Sequence, residues 1–202
     1  MDTTDLPSNF FQREKTTHTT IKDTTAAYKL EIDIRSHGSK GDFEPLRKCA
    51  YNACILFEFS PHKAPLDEVN TTGHTPLTFK ELVPDESDRV NLLCALNFNP
   101  TRDMIINCAI DHPDTAGPLL RAVASSTLDA NIRANALALW ANIAVDNDRI
   151  SWAKHALEEA DATMPIHNLT NLMSHVLNTS DTQSYMRSVR SGCEATWQKY
   201  TA

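Results

Sequence analysis

The sequence predicts a mainly α protein, α+β overall, with a helical bundle or short solenoid in the C-terminal half and a small α/β part before it. Three observations carry this. From Thr101 onward, apolar residues recur three and four apart in segments joined by short polar links, as in helices packed beside antiparallel neighbours. Residues 28–35 alternate instead, with Tyr28, Leu30, Ile32 and Ile34 separated by Lys29, Glu31 and Asp33 and followed by Arg35, the period of a half-buried strand. Between the two regions, Pro61, Pro65, Pro76 and Pro84 prevent a regular helix from running through.

In chain order, residues 1–26 are rich in Thr and Asp with Phe10 and Phe11 as their main apolar groups. Such a segment buries too little to offset its ordering entropy, and it is expected to be a flexible tail. Residues 27–86 are expected to be a small α+β region ending in a long loop. Its strand at 28–35 leads through the turn-forming stretch 37–42 into Phe43 and Pro45, and proline is well placed in a helix's first turn. Phe43, Leu46, Ala50, Ala53, Cys54 and Phe57 then share one helical face. A short strand is expected within the loop at 77–82.

Residues 87–202 are expected to be a helical domain. Ser87 or Asp88 can cap a helix carrying Val90, Leu93 and Leu96, Thr101 one carrying Ile105 and Cys108, and Asp114 or Thr115 one carrying Leu119, Leu120 and Val123. The segment 129–145 carries Ile132, Ala136, Leu137, Leu139, Trp140, Ile143 and Ala144, apolar over most of its circumference, and such a helix lies centrally. Asp146, Asn147 and Asp148 break it before a partner helix striped by Ile150, Ala153, Leu157 and Ala160. Two more helices follow, one opening at Pro165 with Ile166, Leu169, Met173 and Val176, and one capped by Ser180 with Met186, Val189, Cys193 and Trp197.

Composition removes several classes of function. A formal charge of −7 opposes sequence-independent grip on phosphates, so nucleic acid is not the expected partner. No apolar run approaches the ~20 residues a membrane span needs, and residues 1–13 lack a secretory pattern, so a cytoplasmic location is expected. Cys49, Cys54, Cys94, Cys108 and Cys193 are odd in number and irregular in spacing, which reads as small core residues rather than a disulfide framework. The five glycines are scattered and form no phosphate loop. Ser125 and Ser126 have no flanking glycine elbow.

His155 with Glu158 and Glu159 places an imidazole and two carboxylates on neighbouring helical positions, but the second histidine of a zinc helix is missing. His167 and His175 are eight residues apart, too far to share an ion unless His155 joins them. No cofactor or metal is expected on this reading.

Ala141, Ala153, Leu157, Ala160 and Pro165 stand where a tetratricopeptide (TPR) repeat has its small or large apolar residues and closing proline, so residues 134–165 resemble one such helix-turn-helix unit. Leu137 and Trp140 stand exchanged relative to that motif. The resemblance implies a short TPR-like solenoid whose first helix turns Asn135, Ala138, Asn142 and Asp146 to a concave face. Amides seven apart can hold a peptide backbone through paired donors and acceptors, and residues on such a face can be replaced cheaply.

A wider resemblance covers residues 102–177. Residues 102–106, 134–144, the turn 146–148, 153–160, Pro165 and 169–177 are similar in order and spacing to the C-terminal part of a domain-of-unknown-function family of actinobacteria and their phages. Asn147 and Asp148 replace the Gly-Asp of that family's turn. The function expected is a non-enzymatic protein-binding module, adaptor or regulatory, with a protein or peptide partner. The alternatives are an acidic, phage-encoded inhibitor of a host protein, acting in the host cytoplasm, and a metal-dependent enzyme built on His155, His167 or His175.

Overall fold

The computed structural model describes residues 6–7, 9–13, 18–66, 77–179 and 181–201. Among these residues there are ten helices and no strand: α1 (His18–Gly38), α2 (Glu44–Phe59), α3 (Phe79–Leu82), α4 (Glu86–Asn97), α5 (Asn99–Asp111), α6 (Pro113–Ser126), α7 (Ala130–Asp146), α8 (Ile150–Thr163), α9 (Asn168–Thr179) and α10 (Thr182–Thr201). The chain is mainly α, and among the described residues before residue 87 the expected α/β part is replaced by helices.

The expected strand at 28–35 lies inside α1, and the reason is the chemistry of the buried stripe. Thr20, Asp23, Ala27, Glu31 and Ile34 are buried at helical spacing, while Ile32 is 67% exposed and Tyr28 is 42% exposed. Three of the five inward positions are polar, so hydrophobicity alternates along the sequence although burial follows a helix. The helix also begins at His18, within the stretch expected to be tail, and Phe10 and Phe11 are 3% and 1% exposed. The short strand expected at 77–82 is corrected to α3, which Thr78 and Glu81 close with a reciprocal capping box.

Helix α2 opens with Pro45 in its first turn as expected, burying Leu46, Cys49, Ala50, Ala53 and Phe57. Several caps fall elsewhere than the local sequence suggests. Asp85, in place of Ser87 or Asp88, caps α4 by accepting from the Asp88 amide at 3.1 Å, whereas α7 starts where expected, Asp129 capping it by accepting from the Ile132 amide at 2.9 Å. Thr101 instead turns inward, its hydroxyl donating to the Ala95 and Phe98 carbonyls and bracing the α4–α5 corner. The cap expected at Ser180 lies outside the described residues.

Helix α7 is the axis of the molecule, buried from Ile132 to Val145. It packs against α4, α5, α6, α8, α9 and α10. Helices α1 and α2 lie on α4, and α2 also reaches α5 and α6. Residues on both sides of the loop therefore belong to one hydrophobic core, which runs from Phe10 through Phe57 and Leu93 to Trp140 and Cys193.

Candidate functional site

The face of α7 expected to be concave is interior. Asn135, Ala138 and Asn142 are 0% exposed, and only Asp146, at the helix end, reaches solvent. The expectation of an open face there is corrected. An alanine-rich helix lets its neighbours approach on every side, and the incoming chain carries polar partners for both amide oxygens. Asn135 Oδ1 accepts from Arg102 Nη1 at 2.9 Å and lies 3.0 Å from His167 Nε2. Asn142 Oδ1 accepts from the Tyr185 hydroxyl at 2.9 Å, and its Nδ2 donates to the Ala138 carbonyl at 3.1 Å. Asp146 meets Arg190 at 3.5 Å, which holds Asp111 more closely at 2.7 Å.

This network assigns the histidine tautomer. His167 Nδ1 faces the Thr170 hydroxyl at 2.7 Å and the Thr170 amide at 3.3 Å, so it accepts. Nε2 then carries the proton and donates to Asn135. Burial, followed by the Arg102 charge, pushes the imidazole pKa down to about 4, and the ring is neutral at physiological pH. The three histidines do not converge. His155 stacks on Phe11 with ring centroids 6.0 Å apart, His167 is committed to Thr170 and Asn135, and His175 is exposed on α9. Glu159 receives Arg133 at 3.2 Å. Among the described residues no group of three or more His, Cys, Asp or Glu is placed to hold a metal ion. Ser125 and Ser126 are buried at the end of α6.

An open cleft of about 300 Å³ lies between α8 and α9. Lys154, Glu158 and Asp161 line it from α8, where spacings of four and three keep them on one face. Asn171, Ser174 and Asn178 line it from α9 at spacings of three and four, above a floor of Leu157 and Leu177. Among the described residues no side-chain hydrogen bond engages Asn171 or Asn178. Two amides seven residues apart, each offering donors and an acceptor, thus face a cleft with an apolar floor and charged opposite wall. The spacing singled out on α7 recurs on α9. Its signal in the sequence was the polar side of the amphipathic segment whose other side buries Thr170, Met173 and Leu177.

Residues 64–180 match a protein family described as a domain of unknown function, DUF4192. The matched stretch contains α3 to α9 and the whole cleft, and it begins well before the resemblance expected over 102–177. No curated protein matches the chain, and no solved structure matches it.

Proposed function

The chain belongs to the DUF4192 family, and from that premise we propose that it is a non-enzymatic protein-binding module, adaptor or regulatory, taking an extended peptide segment in the cleft between α8 and α9. The observation that carries this reading is the row Asn171, Ser174 and Asn178 facing a cleft of about 300 Å³. Side-chain amides two turns apart on a helix, about 10 Å, can pair with peptide groups about three residues apart on an extended strand. Leu157 and Leu177 offer a dry seat for one apolar side chain, and Lys154, Glu158 and Asp161 along the α8 wall set the charges a partner must complement. The α7–α8 pair supports a TPR-like reading of the scaffold: Ala141, Ala153 and Ala160 are all 0% exposed, and small residues let the two helices approach closely.

The test is selection of binders from a displayed random-peptide library, followed by affinity measurement on the chain and on Asn171→Ala/Asn178→Ala. Selected peptides are expected to bind the double variant at least about tenfold more weakly, a loss of ~1.4 kcal/mol. Its thermal midpoint should stay close to the parent's, since both amides are on the surface. Equal affinity for both proteins overturns the reading. A steep weakening with salt would instead favour the acidic-inhibitor alternative, in which charge rather than the amide row provides the attraction.

A further inference from the structure

Phe10 and Phe11 lie in a short segment with turns of its own, the Phe10 amide donating to the Pro7 carbonyl at 2.9 Å and the Gln12 amide to the Asn9 carbonyl at 3.0 Å. Yet they are among the most buried residues of the chain. Phe11 meets the Trp140 ring edge-on at 5.0 Å and stacks on His155. Phe10 lies 5.5 Å from Trp140, with the Arg121 guanidinium 3.9 Å above its ring centre.

The main chain between these rings is read by arginines. Arg121 Nε donates to the Phe10 carbonyl at 3.0 Å, and Arg133 Nη2 donates to the Phe11 carbonyl at 3.0 Å. Arg133 is itself anchored, donating also to the Ala124 carbonyl, to Thr163 Oγ1 at 3.1 Å and to Glu159 at 3.2 Å. Two adjacent carbonyls held by two fixed guanidinium groups, with both rings in an aromatic seat, are the contacts by which a receptor holds a short peptide. They differ from helix-on-helix packing, where the main chain of each element satisfies itself.

The division of the chain adds a second observation. Arg121, Arg133, Trp140 and His155 all lie within the family-matched stretch 64–180, and Phe10 and Phe11 lie outside it. The seat is part of the family domain, and its occupant is not. The Nε2 atom of His155, beside Phe11, is buried with no partner among the described residues, so one polar position in the seat is left unused by this occupant.

The geometry points to a peptide-binding site on α6, α7 and α8 for two adjacent aromatic residues, occupied here by the chain's own residues 10 and 11 and open to the same segment supplied from another molecule. This site is separate from the α8–α9 cleft, and either can fail without the other.

The experiment uses the full-length variant Phe10→Ala/Phe11→Ala and a labelled synthetic peptide of residues 6–13, with anisotropy and thermal unfolding as readouts. The peptide is expected to bind the variant saturably and to raise its thermal midpoint toward that of the parent chain. It should bind the parent chain at least about tenfold more weakly, because the tethered segment competes at an effective concentration on the order of millimolar. A control peptide with both phenylalanines changed to alanine should bind neither. A variant that folds but does not take up the peptide overturns the proposal, and so does equal uptake of the control. Should the variant fail to fold alone, refolding it with the peptide present decides: recovery of the folded chain supports an exchangeable site, and no recovery shows that the two rings are ordinary core.

Discussion

His167 is held by contacts that only its neutral form can make, since Nδ1 must accept from Thr170 while Nε2 donates to Asn135. In the unfolded chain its pKa is near the ordinary 6.5, whereas in the folded chain it is about 4. Below 6.5 the unfolded state therefore binds the extra proton first, and the stability contributed by the neutral ring is lost as pH falls from about 6.5 to 4. At ~1.4 kcal/mol per unit of displacement this is on the order of 3 kcal/mol. Urea unfolding at pH 7, 5.5 and 4.5 should show that decline, and His167→Asn should flatten this part of it. Asn135→Ala strands donors of Arg102 and His167 in the interior and should cost about 2–4 kcal/mol by urea unfolding, the penalty for orphaned buried partners. A cost near zero would place Asn135 on a wet face, as its sequence context suggests. Asn171→Ala, on the cleft wall, should lie within about 0.5 kcal/mol of the parent.

At the scale of the element, α1 shows how a helix with a half-polar inner face is held. Asp23 and Arg89 form a buried ion pair at 2.6 Å between α1 and α4, and Arg89 also donates to the Val83 and Pro84 carbonyls at 2.9 and 2.7 Å. Further along, Glu31 accepts from Asn97 and from Arg35. Such a pair contributes little net stability over an apolar pair of the same shape, but breaking it leaves one charge buried and unmatched. Arg89→Met should accordingly cost about 3–5 kcal/mol, and the double variant Asp23→Leu/Arg89→Met should recover much of that. If the double variant is no better than the single one, the main-chain bonds of Arg89, rather than its charge, hold the α1–α4 contact. Chemical unfolding of the three proteins distinguishes these cases.

For the whole molecule, the shared core makes a cooperative prediction. Ala27 and Ile34 of α1 and Phe57 of α2 are buried in the same cluster as Leu93, Ile105 and Trp140. Thermal unfolding should therefore show one transition, coincident by far-ultraviolet circular dichroism and tryptophan fluorescence. Residues 87–202 produced alone should bind a hydrophobic dye strongly, because the faces of α4 and α5 that α1 and α2 cover would be open to water. Two separated transitions, or a dye-silent fragment, would support a domain boundary near residue 86.

The helices with one apolar stripe and the centrality of α7 are legible in the chain because they follow from local spacing: Leu46, Ala50, Ala53 and Phe57 can share a face only as a helix, and a segment as apolar as 132–145 can only be interior. The sequence also held the family signal, in the spacing of its alanines. Three matters were decided by tertiary structure alone. Thr20, Asp23 and Glu31 go inward only because polar partners, among them Arg89 and Asn97, wait on α4, so no local pattern distinguishes α1 from a strand. Asn135 and Asn142 are core residues because His167 and Tyr185 arrive from distant positions to bond their amide oxygens, while the same spacing at Asn171 and Asn178 faces a cleft because no helix among the described residues covers it. Phe10 and Phe11, in a stretch too polar to fold alone, are ordered because Trp140, Arg121 and Arg133 form a seat more than a hundred residues away. A polar group's destination depends on which partner the fold brings to it, and that pairing is non-local.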